Sequence, residues 1–157
     1  MSLENKISLE LYKAIIDGMP YGVLVANPNG EFILWNKLSY SLFKNDLAVS
    51  RQENWVHEWG VFEVDKKTMF KPDDVPLARA LRGEVVTNVK IYIKNADKDK
   101  DGVFIKVNAY PIRSETGQLE AGIVIVEDIT KEQLFYDKMI DTISEFQNSV
   151  EYLLTHN

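Results

Sequence analysis

The sequence predicts an α+β fold, a single antiparallel sheet with helices gathered on one of its sides, and three features carry that prediction. Two short apolar runs flank a Pro-Gly turn near the start, three longer runs with strand-like alternation follow late in the chain, and helical patterns occupy the middle and both ends. At 157 residues the chain suits one domain with one core.

Leu3, Ile7, Leu11, Ile15 and Met19 recur at four-residue steps, which places them on one face of a leading amphipathic helix over residues 1–19, stopped by Gly18 and Pro20. YGVLVA and EFILW are then joined by Asn27-Pro28-Asn29-Gly30, whose proline and glycine suit the fixed φ and positive φ of a tight turn, so they form a hairpin. Asn36 caps a short helix, NKLSYSLF, whose buried side is expected to be Leu38, Leu42 and Phe43. From Lys44 to Asp73 periodicity fades and aromatics accumulate in ENWVHEWGVFEV, the pattern of short helical turns and loop laid over a sheet. Asp73-Asp74-Val75-Pro76 starts another helix, with carboxylates at the positive dipole end and proline in the first turn; Leu77, Ala80 and Leu81 pack inward until Gly83 ends it.

Three strands follow. In Val85 to Lys94, Val89, Ile91 and Ile93 alternate with Asn88, Lys90, Tyr92 and Lys94; in Val103 to Ile112, Val103, Ile105, Val107 and Ala109 alternate with Phe104, Lys106, Asn108 and Tyr110. Leu119 to Asp128 is the last strand, reached through the turn residues Ser114 to Gln118. It runs straight into a helical pattern. Thr130-Lys131-Glu132-Gln133 fits a capping box, in which the threonine hydroxyl accepts from the backbone three residues on and Gln133 reaches back, with Ile129 and Leu134 as a hydrophobic staple. Asp128, Thr130 and Gln133 are therefore the expected hinge. Beyond it Tyr136, Met139, Ile143, Phe146, Val150 and Leu153 keep the three-four spacing of a coiled-coil seam, broadened by Ile140 and Leu154. Such a helix either folds back on its own sheet or pairs with a copy of itself; the unbroken spacing favours the homodimer, with the leading helix as a possible addition.

Composition excludes several classes. With 24 acidic against 18 basic residues and a net charge of -6, and with its cations dispersed, the chain has no nucleic-acid footprint. The absence of cysteine removes disulfides, thiolate metal sites and cysteine nucleophiles. The acidic N-terminus is no signal peptide and no run reaches the ~18 apolar residues of a membrane span, so a cytoplasmic setting without membrane insertion is expected. HExxH, GxSxG and a phosphate-cradling glycine loop are all missing, so the segment is read as a non-enzyme, with no metal site and no catalytic residues. Asp97-Lys98-Asp99-Lys100-Asp101-Gly102 mimics an EF-hand opening, but Asn108 stands where the bidentate glutamate belongs and both flanks are strands, so a solvated hairpin turn is expected.

MPYGVLVANPNGEFILWN, DDVPLARALRGEVV and VNAYPIRSETGQLEAGIVIVEDIT, in that order and followed by a helix, resemble a PAS domain of the kind found in bacterial or archaeal sensor histidine kinases and related signalling proteins. The resemblance covers roughly Leu11 to Thr130. It implies a five-stranded sheet in the order 2-1-5-4-3, a ligand cavity between sheet and middle helices, flanking helices that dimerise, and output through the terminal helix. The division implied is an N-terminal helix at 1–19, a PAS core at 20–130 and a signalling helix at 131–157. A kinase phosphoacceptor box is absent, so any output domain is expected to follow Asn157.

Flavin-binding light sensors of this family carry a reactive cysteine, so cysteine-linked flavin is excluded here. Haem through His57 and non-covalent flavin stacked on Trp55 or Trp59 are both disfavoured, the histidine being read as a partly buried packing residue and the tryptophans as core. The candidate ligand is a small metabolite, polar or carboxylated, among Trp55, Trp59, Arg79, Asn108 and Tyr110. Arg79 and Arg82 could fork onto a carboxylate, although a solvated helix face is the plainer reading. Two alternatives stay open: a structural dimerisation module without ligand, and a small hydrolytic enzyme.

Overall fold

The computed structural model describes residues 2–43, 47–94 and 101–156. The elements in chain order are α1 (Leu3–Asp17), β1 (Gly22–Ala26), β2 (Phe32–Trp35), α2 (Lys37–Phe43), α3 (Trp55–Trp59), β3 (Val61–Phe62), α4 (Pro76–Leu81), β4 (Val86–Ile93), β5 (Val103–Arg113), β6 (Leu119–Asp128) and α5 (Thr130–Thr155). The strands form one antiparallel sheet in the order β2-β1-β6-β5-β4-β3. This is the expected order with a sixth strand added at one edge. That strand, β3, pairs Val61 with Ile93 and Phe62 with Tyr92, and its two residues are too few for an alternation to show.

The β1–β2 hairpin closes through Asn27, whose N–H donates to the Glu31 carbonyl at 2.9 Å and whose side-chain oxygen accepts from the N–H groups of Asn29 and Glu31 at 3.0 Å. Gly30 supplies the positive φ of 78°. Asn36 is buried and does more than cap α2. Its Oδ1 accepts from Ser39 N–H at 3.1 Å and Val23 N–H at 2.9 Å, while Nδ2 donates to the carbonyls of Ile16 at 2.6 Å and Tyr21 at 2.8 Å. One amide thus ties the end of α1 to β1 and α2. Leu38 departs from expectation: it is exposed, and the small Ser39 takes the buried position against β1.

α2, α3 and α4 cover one face of the sheet, the inner face. α4 lies close over β6 at Gly122, where a Cβ would come within 3.0 Å of Leu81 and 3.1 Å of Leu77. Ile105, Val107 and Ala109 of β5 join the core here, so Phe104, Lys106, Asn108 and Tyr110 face the other way. β4 keeps Val86 and Val89 on the core side, although they are three residues apart, through a bulge at Asn88, which adopts a φ of 57°.

α5 leaves the sheet directly after Asp128. None of its residues is buried, and every side chain beyond Gln133 is exposed. The alternative in which this helix folds back on its own sheet is not what the chain does. The EF-hand-like run falls largely outside the described residues.

Candidate functional site

Two regions on opposite faces of the sheet bear on function. The first is a cavity of about 50 Å³ on the inner face, between β1, β4, β5 and β6 and the helices above them. Leu24, Phe43, Val61, Leu77, Ile105, Val107, Val124 and Val126 are among its walls, and among the described residues every lining side chain is apolar apart from the indole N–H groups that Trp55 and Trp59 carry. These two residues sit one turn apart on α3, with rings nearly parallel at 8° and centroids 5.8 Å apart. Phe32 packs against both, at 5.1 and 5.8 Å, and Phe43 packs against Trp59 at 4.9 Å. Both Nε1 groups are buried without a hydrogen-bond partner among the described residues. Buried donors are seldom left so, because each costs about 1–3 kcal/mol in lost hydration.

The five candidate ligand residues do not converge. Trp55 and Trp59 belong to the cavity wall; the other three do not. Arg79 lies half-exposed on α4, 3.5 Å from the Glu84 carboxylate, while Arg82 donates to the Asp73 carbonyl at 2.7 Å and pairs with Glu84 at 3.2 Å. Asn108 and Tyr110 stand on the outer face, as strand alternation requires once Ile105, Val107 and Ala109 are inside. The Asn108 side-chain Oδ1 accepts the N–H of Asn88 at 2.8 Å, which holds the β4 bulge. His57 points away from the cavity side of α3 and is exposed, not part-buried as expected. Among the described residues no group of three acidic or histidine side chains is placed to hold a metal.

The second region is the join between β6 and α5, on the outer face. Phe104 of β5 gives both of its main-chain groups to it: its carbonyl accepts from Ile129 N–H at 2.9 Å, and its N–H donates to Thr130 Oγ1 at 3.0 Å. The Thr130 hydroxyl in turn donates to Asp128 Oδ1 at 2.6 Å, and that oxygen also takes the Thr130 N–H at 2.9 Å. The hydroxyl has one proton, so the longer 3.4 Å approach to the Phe104 carbonyl is secondary. The expected capping box does not form. Thr130 is the first helical residue, its hydroxyl is spent on β5, and Gln133 bonds forward to Asp137 at 2.9 Å and not back to the cap. Asp128 serves the helix start from two residues before Thr130. The staple is also replaced: Ile129 is buried against Tyr92 and Phe104, while Leu134 is exposed.

Tyr92 and Phe104 form a cross-strand ring pair with centroids 5.0 Å apart, and Lys66 Nζ lies 5.1 and 5.2 Å from the two ring centres. Lys66 adopts a φ of 62° within a turn organised by Asp65, whose Oδ1 takes the N–H groups of Lys67 and Thr68 at 2.8 Å. The Thr68 hydroxyl donates to the same carboxylate, and these bonds hold the Asp65 carboxyl below its usual pKa. Phe104, Tyr92 and Lys66 were absent from the sequence-derived hinge. Aromatics at positions 92 and 104, on the otherwise polar side of two strands, were the signal that could have found them.

This architecture is the PAS fold: an antiparallel sheet with short helices over one face and a helix leaving the last strand. Solved structures agree. An RNA-binding light-oxygen-voltage receptor matches with a TM-score of 0.60 and 13% identity over 92% of this chain, which spans 39% of that receptor's length. The PAS domain of an HTR-like protein from Haloarcula marismortui matches at 0.55 and 14%, over 80% of this chain and 95% of that one. A PAS domain from a two-component sensor histidine kinase matches at 0.51 and 10%, over 79% of this chain and 98% of that one. No family model and no curated protein matches the sequence. Among the described residues no helix is long and apolar enough to cross a membrane.

Proposed function

We propose that the chain is a sensory PAS module that works as a homodimer and passes a signal from its inner cavity, through α5, to a downstream output domain, a histidine kinase. One observation carries the reading: α5 is clamped to β5 at its first residue and uncovered everywhere else. Tyr136, Met139, Ile143, Phe146, Val150 and Leu153 are all at least 38% exposed, a contiguous apolar seam on a helix roughly 39 Å long. An isolated helix of this kind is marginal in water, and its copy supplies the missing face. The stripe of Ile7, Leu11 and Ile15 on α1 is exposed in the same way and is free to join the pairing.

The link to the cavity is short. Ile105 lines the cavity, and its neighbour Phe104 holds Ile129 and Thr130. A ligand that favours one strand position by ~1–3 kcal/mol is enough to bias the angle at which α5 leaves. The histidine-kinase output is supported by the solved PAS domain from such a kinase noted above and by the strand-to-helix exit itself.

Sedimentation equilibrium of the chain, with and without residues 136–157, tests the pairing. The full chain is expected to be a dimer and the truncated one a monomer. A full-length monomer overturns the homodimer.

A further inference from the structure

The cavity is apolar, and among the described residues the two tryptophans in its wall carry the buried side-chain polar atoms that lack a partner. Trp55 and Trp59 are 1% and 7% exposed, yet neither indole N–H has an acceptor among the described residues. Water is a poor occupant, since a buried water typically makes about three hydrogen bonds and here would find at most two donors and, among the described side chains, no acceptor for its own protons. An ionised ligand is disfavoured more strongly. Among the described residues no cationic side chain lines the cavity, and the guanidinium groups of Arg79 and Arg82 on α4 are engaged with Glu84 and the Asp73 carbonyl. An unpaired carboxylate buried here would lose its hydration with no charge to compensate it. A hydrocarbon would fill the space but leave both indoles unsatisfied.

We infer that the cavity takes a compact, neutral organic molecule whose carbonyl-type oxygen accepts from the indole N–H of Trp55, Trp59 or both. This deepens the sensory reading proposed above and rests on it. At about 50 Å³ the space is well below the ~150 Å³ of an engineered apolar cavity that accepts benzene, so the ligand is smaller than an aromatic ring or enters with some repacking of the wall. The same chemistry accounts for two tryptophans spaced one turn apart on a helix of only five residues, where phenylalanine would pack without the buried donors.

Three isosteric probes separate the possibilities: 2-butanone, 2-methyl-1-butene and propionate, titrated into the full chain while the indole ¹H–¹⁵N signals are followed. Trp35, the third tryptophan, does not line the cavity and serves as the internal control. The ketone is expected to move the Trp55 or Trp59 signal downfield and saturably while Trp35 stays put, and to bind about tenfold or more tightly than the alkene, the worth of one satisfied buried donor. Propionate should not compete. Trp55→Phe with Trp59→Phe should erase the ketone's advantage and leave the alkene bound as before; the wild-type shifts decide the matter if that variant does not fold. Equal binding of ketone and alkene with unmoved indoles overturns the acceptor claim but leaves a ligand-binding cavity, as does preferential binding of propionate. Binding by none of the three overturns both this inference and the sensory cavity beneath it.

Discussion

The inner and outer faces of the sheet use the same strands for opposite purposes. On the inner side Ile105, Val107, Val124 and Val126 belong to a wall that is apolar among the described residues apart from two unpartnered indoles. On the outer side, one residue away, Phe104 commits its N–H and C=O to a chain of hydrogen bonds that reaches Thr130 and Asp128. One face leaves a space and the other is bonded. The contrast teaches that a cavity and a helix clamp can lie a strand's thickness apart, because side chains alternate while the backbone is shared.

A charge placed on each side breaks the comparison most sharply. Ile105→Asp puts an unpaired carboxylate at a position only 2% exposed, a loss of several kcal/mol against a total stability of ~5–15 kcal/mol, and circular dichroism should find the variant unfolded or close to it. Ile143→Asp, on the 49%-exposed seam of α5, should leave the melting temperature of the PAS core nearly unchanged and yield a monomer on sedimentation. Equal effects at both sites would mean that α5 is part of the core.

A smaller effect is expected from Thr130→Val, which keeps the shape and deletes the hydroxyl. Phe104 N–H loses its acceptor at a residue 2% exposed, a cost of about 1–3 kcal/mol, and amide exchange should quicken at Phe104 and in the first turn of α5 while β1 and α4 keep their protection. Gln133→Ala, by contrast, removes only an exposed bond to Asp137 and should scarcely alter that protection.

The smallest effect concerns the Asp65 turn under Lys66. The folded carboxyl has a lowered pKa, so its contribution is present above the unfolded value, about 3.9, and fades as pH falls through the lower folded value. Thr68→Val removes the largest cause of the shift. NMR titration should then find Asp65 moved upward toward the ordinary carboxylate range, and an unmoved titration would mean that the turn does not depend on that bond.

The fold was legible because its elements announce themselves: alternation in β4 and β5, Pro76 and Gly83 around α4, and the Asn27–Gly30 turn all act locally. The cavity wall was half legible. Trp55 and Trp59, singled out from aromatic density, line it, yet Asn108 and Tyr110 were grouped with them although their own strand pattern placed them opposite Ile105 and Val107. Polarity suggested binding, but alternation decides the face. The capping box failed for a related reason. Its residue types are present, but Thr130 has a tertiary partner in Phe104, 26 positions away in sequence, and no local pattern encodes that contact. β3 escaped because two residues carry no period.

In the proposed function the Thr130 clamp fixes the angle between the sheet and a paired α5. Glu115 sits in the exposed β5–β6 turn, and with no cysteine in the sequence a single spin label at Glu115→Cys reports the separation of the two bodies across the dimer by double electron–electron resonance. The account predicts a narrow intermolecular distance distribution that broadens when Thr130→Val is added. The absence of any intermolecular signal, or a distribution equally narrow without the hydroxyl, would contradict it.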